Sequence, residues 1–150
     1  MFRNASSTDL PAIITLLVDD PIGATREVAS GEIDQAYLEA FAAIEADPNQ
    51  LLAVAVDDDG KVIGCLQLSF IPGLSRKGIW RGQIESVRIA AGHRGGGLGA
   101  AMIEWAVEQA KEKGCGLVQL TSDKRRPDAI RFYERQGFVA SHEGLKLDLS

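Results

Sequence analysis

The stretch Arg94-Gly95-Gly96-Gly97-Leu98-Gly99-Ala100 decides how this chain is read, because it joins a strand-like run to a helix-like run. Upstream, Gln83–Ile89 alternates as a strand does, which puts Gln83, Glu85, Val87 and Ile89 on one face. Downstream, Leu98, Ala101, Met102, Trp105, Ala106 and Ala110 recur at helical spacing up to Lys113-Gly114, a basic last turn and a glycine cap. Glycine at positions 95, 96, 97 and 99 leaves main-chain N–H groups uncovered at the positive end of a helix dipole. Such a turn is an anion cradle. A plain tight connection needs one or two glycines, not four.

Two other glycine motifs fit less well. No Gly-Lys-Ser/Thr ending follows, so the magnesium ligand and phosphate lysine of a P-loop are missing. Gly95, Gly97 and Ala100 satisfy G-x-G-x-x-A, but a dinucleotide-binding turn follows the first strand of a long βαβ series. Here four strand-like runs precede it and too little chain follows. A nicotinamide-dependent oxidoreductase is therefore a third choice, which an NAD titration tests.

Outward from this centre, the chain divides into short periodic segments. Phe2–Ala5 reads as a strand, then Thr8 as the N-cap of a helix carrying Leu10, Ile13, Ile14 and Leu17. Tyr37, Phe41 and Ile44 mark a second helix between Asp34 and Ala46. Leu51–Val56 and Lys61–Ile71 flank Asp57-Asp58-Asp59-Gly60, a hairpin signal that makes them antiparallel neighbours. Residues Gly73–Arg81 read as a loop. After the central helix come a strand at Leu117–Thr121 and a short helix from Pro127 to Gly137 with Ala129, Phe132 and Tyr133 on one face. Phe138–Ala140 and Leu145–Leu149 read as a closing hairpin. The order predicts one α/β domain over residues 1–150. Its mixed central sheet is antiparallel in the first half, has a parallel crossover in the second, and is flanked by about four helices.

Composition excludes several classes. The 150 residues carry 16 basic and 21 acidic side chains, net −5, and 45% hydrophobic residues, the balance of a soluble globular chain large enough to build a core without disulfides. Cys65 and Cys115 lack metal or redox spacing and, with His93 and His142 far apart, give no metal set. They read as free thiols, and cytoplasm is the expected compartment. No apolar run approaches membrane-spanning length and the start lacks a signal-peptide core, so no membrane partner is expected. Residues 1–60 hold two basic and twelve acidic side chains, a balance of −10, whereas residues 61–150 hold fourteen and nine, a balance of +5. The later part thus suits an anion and the earlier part a cationic acceptor. Basic residues are not interleaved with aromatics, so nucleic acid is not an expected partner.

Several separate stretches resemble the GNAT superfamily of N-acetyltransferases. Arg94-x-x-Gly97-x-Gly99 is similar to its R/Q-x-x-G-x-G/A pyrophosphate signature, and Ile84-Glu85-Ser86-Val87-Arg88-Ile89 resembles the strand before it. Arg131-Phe132-Tyr133-Glu134-Arg135-Gln136-Gly137-Phe138 contains F-Y-x-x-x-G-F, and Arg3-Asn4-Ala5 with Asp9 resembles the opening strand and helix. One departure is Arg126, which stands where the family often has Asn.

The resemblance implies acetyl-CoA as cosubstrate. Its pyrophosphate would lie on the segment Arg94, Gly95, Gly96, Gly97, Leu98, Gly99 and Ala100, and its pantetheine arm would pair with Val87, Arg88 and Ile89 like an added strand. It further implies transfer to a primary amine by direct attack, with homodimers frequent. An alkylammonium has a pKa of about 10.4 and must lose a proton before attack. Glu85, expected to be partly desolvated beside Val87 and Ile89, is the candidate general base; the bland alternative is a solvated surface carboxylate. Gln83 on the same face is a candidate to hold an intervening water. The leaving thiolate needs a proton, and Tyr133, a phenol of pKa about 10, is the candidate general acid, the alternative being an aromatic core residue. Lys124-Arg125-Arg126 is placed either near a cofactor phosphate or in a solvated loop. Phe70 and Trp80 flank an expected acceptor region, and segments 19–34 and 73–81 would build the acceptor pocket. A non-catalytic acyl-CoA-binding or regulatory module is the alternative class.

Overall fold

The computed structural model describes residues 1–19 and 33–150. Five strands form one sheet in the order β1 (Phe2–Asn4), β2 (Gln50–Val56), β3 (Val62–Pro72), β4 (Trp80–Ile89) and β5 (Leu117–Leu120). β1 to β4 are antiparallel neighbours, and β5 joins β4 in parallel. The longer helices among the described residues are α1 (Leu10–Val18), α2 (Gln35–Ala46), α3 (Leu98–Glu112) and α4 (Pro127–Arg135). This is the expected mixed sheet with its parallel crossover through α3.

The sheet is covered on both faces, which explains the unbroken apolar run of β2. On one face Ala53, Ala55, Leu66, Leu68 and Ile84 pack under Met102, Ile103 and Ala106 of α3. On the other, Val54, Val56 and Cys65 meet Ile13 and Leu16 of α1, while Phe41 of α2 closes on Leu10 and Ile14. Glycines let α3 lie close on the sheet: a β-carbon at Gly64 would come within 2.9 Å of the Met102 sulfur, and one at Gly82 within 3.0 Å of the Ala110 β-carbon. The Asp57–Gly60 turn forms as expected, with Asp57 Oδ1 accepting from the N–H groups of Asp59 and Lys61, both at 2.9 Å.

Four readings need correction. The first helix is not capped by Thr8. A single turn of 3₁₀ helix, Ser7–Asp9, precedes it, and Asp9 accepts from the Ser6 N–H at 2.8 Å and from both ends of the Arg3 guanidinium at 2.7 and 2.9 Å. β4 begins at Trp80, inside the expected loop, because Trp80 pairs with Pro72 after a tight turn at Ser75–Gly78.

The third correction affects the site. Glu85 does not share a face with Val87 and Ile89. Glu85 lies opposite Gln67 and Arg88 opposite Cys65, so Ser86 and Val87 together face Leu66. Ser86 takes φ +56°, and this bulge advances the strand by one residue. Gln83 and Glu85 therefore stay on the α1–α2 side, while Val87 and Ile89 pack with the α3-side core.

Fourth, the closing hairpin does not form. Residues 139–150 contain no strand, and Val139, Leu145, Leu147 and Leu149 are exposed. A two-stranded ribbon is marginal in water without a third strand. Phe138 packs against Tyr133, and Glu143 pairs with Lys124 at 3.1 Å, which carries the last residues off the sheet.

Candidate active site

The bulge at Ser86 also ends the union of β4 with β5. Their pairing covers only Arg81–Ile84 against Leu117–Leu120, and beyond it the two strands separate. The edge of β4 from Val87 to Ile89 then opens onto a cleft of about 640 Å³ between the N-terminus of α3 and one face of α4.

The glycine loop forms the cleft's phosphate-sized corner. Gly97 caps α3 at φ +87°, a left-handed conformation that glycine takes without steric cost. A β-carbon at Gly95 or Gly97 would meet no protein atom within 4 Å, so both positions face open space. The first N–H groups of α3 have no partners within the helix, and they emerge at this corner. Arg94 ties the loop to the strand, its Nε donating to the Ile89 carbonyl at 3.0 Å and Nη2 to the Asp19 carbonyl at 3.2 Å. Among the described residues, Arg88, Arg94, Arg126 and Arg135 line the cleft against one carboxylate, Asp19. Bare main chain, a helix N-terminus and excess guanidinium fit a diphosphate, and the free strand edge fits an amide-bearing arm.

Val87, Arg88, Ile89, Arg94, Gly95, Gly97, Gly99, Ala100 and Tyr133 all line this cleft. Gly96 and Leu98 are not among the residues that line it; Leu98, the first residue of α3, packs against the core instead. Tyr133 is half-buried and packs edge-on to Phe132 and Phe138, with ring centroids 5.1 and 5.9 Å away. Burial pushes its hydroxyl pKa above the ordinary phenol value, and Arg88 and Arg126 pull against that shift. The phenol therefore keeps its proton at neutral pH.

Glu85 stands apart from the cleft and is exposed, so the expected desolvation is absent. A row of amides holds it in place. Gln83 Nε2 donates to Glu85 Oε1 at 3.1 Å, and Gln119 Nε2 donates to Gln83 Oε1 at 2.8 Å. Glu85 thus lies on one side of β4 just before the bulge, and the cleft opens on the other side just after it.

The basic triplet divides. Arg126 lines the cleft, Arg125 chelates Asp123, and Lys124 binds Glu143. The paired guanidinium holds the Asp123 carboxyl far below its usual range. Phe70 is core and Trp80 packs against it. His93 is exposed after the strand, and His142 meets the Ser141 hydroxyl in the tail. Of the expected acceptor segment 19–34, residues 20–32 lie outside the described residues. Sequence reasoning missed Asp19, Ala129, Phe132, Arg135 and Gln136 as cleft residues. Ala129, Phe132, Tyr133 and Gln136 follow helical spacing, so one face of α4 is the signal for them.

Residues 11–138 match the acetyltransferase (GNAT) family. An aminoalkylphosphonate N-acetyltransferase of Salmonella typhimurium is 31% identical over 141 residues, which cover 93% of this chain and 85% of that protein. A glucosamine 6-phosphate N-acetyltransferase of Trypanosoma brucei brucei is 37% identical over 90 residues, 60% of this chain and 59% of that one. A solved structure described as a transcriptional regulator of Bacillus halodurans C-125 superposes with a TM-score of 0.96 at 45% identity, covering 99% of both chains. With its signature loop, split β4–β5 pair and family match across most of its length, this chain belongs to the GNAT family of acetyltransferases.

Proposed function

We propose that this single-domain protein transfers the acetyl group of acetyl-CoA to a primary amine by direct attack, in the cytoplasm and as a homodimer. The observation that carries the reading is the cleft itself, where a free β4 edge, a bare glycine corner and the Tyr133 phenol converge. When bound, acetyl-CoA supplies the acetyl group as a thioester, already activated toward amines.

The rest of the chemistry belongs to the chain. Main-chain N–H groups of the glycine loop and the surrounding guanidinium groups hold phosphates, and the Val87–Ile89 edge aligns an amide-bearing arm. An N–H of that edge would donate to the carbonyl oxygen as negative charge builds on it. Glu85, steadied by Gln83, takes the ammonium proton from the amine arriving on the α1–α2 side. Tyr133 gives its proton to the departing thiolate on the cleft side, so one proton leaves the nucleophile and one reaches the leaving group. Bulk water then resets both residues.

The acceptor is proposed to be a small amine bearing a phosphorus oxyanion, supported by the specificities named for the Salmonella and Trypanosoma relatives. A panel of aminoalkylphosphonates, hexosamine phosphates, polyamines and aminoglycosides, followed by thiol release from acetyl-CoA, tests both donor and acceptor. Preference for the phosphorus-bearing amines supports the reading; preference for polycations returns the acceptor to the cationic class that the acidic first sixty residues suggest. A regulatory acyl-CoA-binding module is the second reading, favoured by the Bacillus halodurans protein. Acetyl-CoA binding without thiol release on any amine would select it.

A further inference from the structure

Among the described residues β5 lends no side chain to the cleft, yet one of its residues reaches Glu85 from behind. Gln119 lies directly opposite Gln83 in the parallel pairing of β5 with β4. Its Nε2 donates to Gln83 Oε1 at 2.8 Å, and Gln83 Nε2 donates onward to Glu85 Oε1 at 3.1 Å. Gln119 and Gln83 are half-buried, and Glu85 is exposed.

The charged end sets the direction of this row. A carboxylate only accepts hydrogen bonds, so Gln83 must turn its NH2 group toward Glu85 and its carbonyl toward Gln119. A side-chain amide is nearly symmetric in shape, and half a turn about its last torsion exchanges oxygen for nitrogen. Reversed, Gln83 would set its carbonyl oxygen against the carboxylate. A donor from Gln119 held on that oxygen removes the reversed orientation. The neighbouring strand does not supply the same hold. On β3, Ser69 is paired opposite Gln83 and Gln67 opposite Glu85, so both stand beside the row on the same face. Their donors go the other way: Ser69 Oγ and Gln67 Nε2 each donate to Gln50 Oε1 at 2.9 Å.

We propose that Gln119 is a positioning residue for acetyl transfer: its amide fixes the orientation of Gln83, which holds one oxygen of Glu85 and leaves the other for the arriving ammonium group. This rests on the reading of Glu85 as the base. A base fixed in advance spares the transition state the cost of ordering it. Gln119 therefore acts on turnover, while the donor's seat, beyond the bulge and on the other side of β4, does not sense it.

A double-mutant cycle tests the proposal. Gln119→Met keeps the length of the side chain and removes its amide donor without adding charge. Gln119→Glu keeps the shape and makes the position an acceptor, which draws the Gln83 NH2 group away from Glu85. Each is made alone and together with Glu85→Gln, and thiol release is followed with acetyl-CoA and 2-aminoethylphosphonate, or with a faster amine of the panel above. In Gln119→Met kcat should fall roughly tenfold, and further in Gln119→Glu, with the KM for acetyl-CoA and the circular dichroism spectrum unchanged. With Glu85→Gln present, neither should lower kcat again, because a glutamine at position 85 both donates and accepts and so meets Gln83 in either orientation. Should Gln119→Glu fail to fold, Gln119→Met carries the cycle alone. Wild-type kcat in the Gln119 variants overturns the proposal, and Glu85 stands as the base if Glu85→Gln still collapses. An equal loss in both backgrounds also overturns it, since Gln119 would then only support the sheet. If Glu85→Gln is itself without effect, or no amine of the panel is acetylated, the reading of Glu85 has failed and this proposal falls with it.

Discussion

Arg94 Nε donates to the main-chain carbonyl of Ile89 at 3.0 Å, so one guanidinium fixes the end of β4 against the glycine loop that follows it. The same side chain reaches Asp19 at the end of α1, through its carbonyl at 3.2 Å and its carboxylate at 3.6 Å. Arg94 is half exposed, so Arg94→Ala should change stability little. It removes a guanidinium proposed to contact the cofactor phosphates, a charge-assisted hydrogen bond worth about 1.5–3 kcal/mol, so acetyl-CoA affinity should fall roughly 10- to 100-fold, read by calorimetry.

Gly97→Val places a branched side chain at φ +87° and at the mouth of the cradle. The left-handed conformation costs about 1–2 kcal/mol, which lowers the melting temperature without unfolding the chain. Coenzyme A binding should weaken at least about tenfold. Wild-type affinity in a protein with normal circular dichroism would refute the cradle.

Tyr133→Phe keeps the edge-on packing against Phe132 and Phe138 and deletes only the hydroxyl. Turnover should fall by roughly 10²–10⁴ if that proton is used. Since burial raises the Tyr133 pKa, the acid form persists into alkaline solution. The wild-type rate should therefore decline only above about pH 10, and the variant should lose that limb. A variant with wild-type turnover would make Tyr133 a packing residue alone.

Glu85→Gln preserves size and can still hydrogen-bond to Gln83, yet it cannot accept a proton. Coenzyme A affinity should persist while kcat/KM collapses near neutral pH, and the deficit should shrink toward the amine's own pKa of about 10. Parallel pH–rate profiles for the two proteins would exclude Glu85 as the base.

How much of this site could be read from the residues depends on what each signal measures. Arg94–Ala100 announced an anion site because four glycines have no packing use that explains them. The helical spacing of Ala129, Phe132 and Tyr133 was equally visible, but periodicity reports that a face is apolar and not whether it covers a core or walls a cleft. Glu85 was placed on the wrong face because alternation assumes a regular strand, and nothing in Ile84-Glu85-Ser86-Val87 marks the left-handed residue. Asp19 meets Arg94 only through tertiary packing, across a sequence separation no local pattern spans. The alternation at Leu145–Leu149 predicted a strand that does not form, because such a pattern says which residues would share a face and not whether a surface is there to cover it.

Acid should remove the tie between Arg3 and the first turn. Asp9 is buried, and its bond to Arg3 holds its pKa at about 2. A folded-state pKa below the unfolded value contributes stability that is fully present above about pH 4 and is lost as pH falls toward 2. The contribution is about 2 kcal/mol, and Asp9→Asn should remove a comparable amount at neutral pH. Chemical denaturation of both proteins between pH 7 and about pH 2 should show the two stabilities converging in acid.

The extra residue at Ser86 has a consequence for how chains of this kind diverge. It hands the two sides of one strand to different supports: Gln83 and Glu85 belong with the α1–α2 layer, Val87 and Ile89 with α3. On the proposed mechanism, substitutions on the first side would retune which nucleophile is admitted while the donor's seat kept its shape. A lineage built on that mechanism would exchange one amine for another by small surface changes and never pass through an ancestor that had lost its grip on the donor.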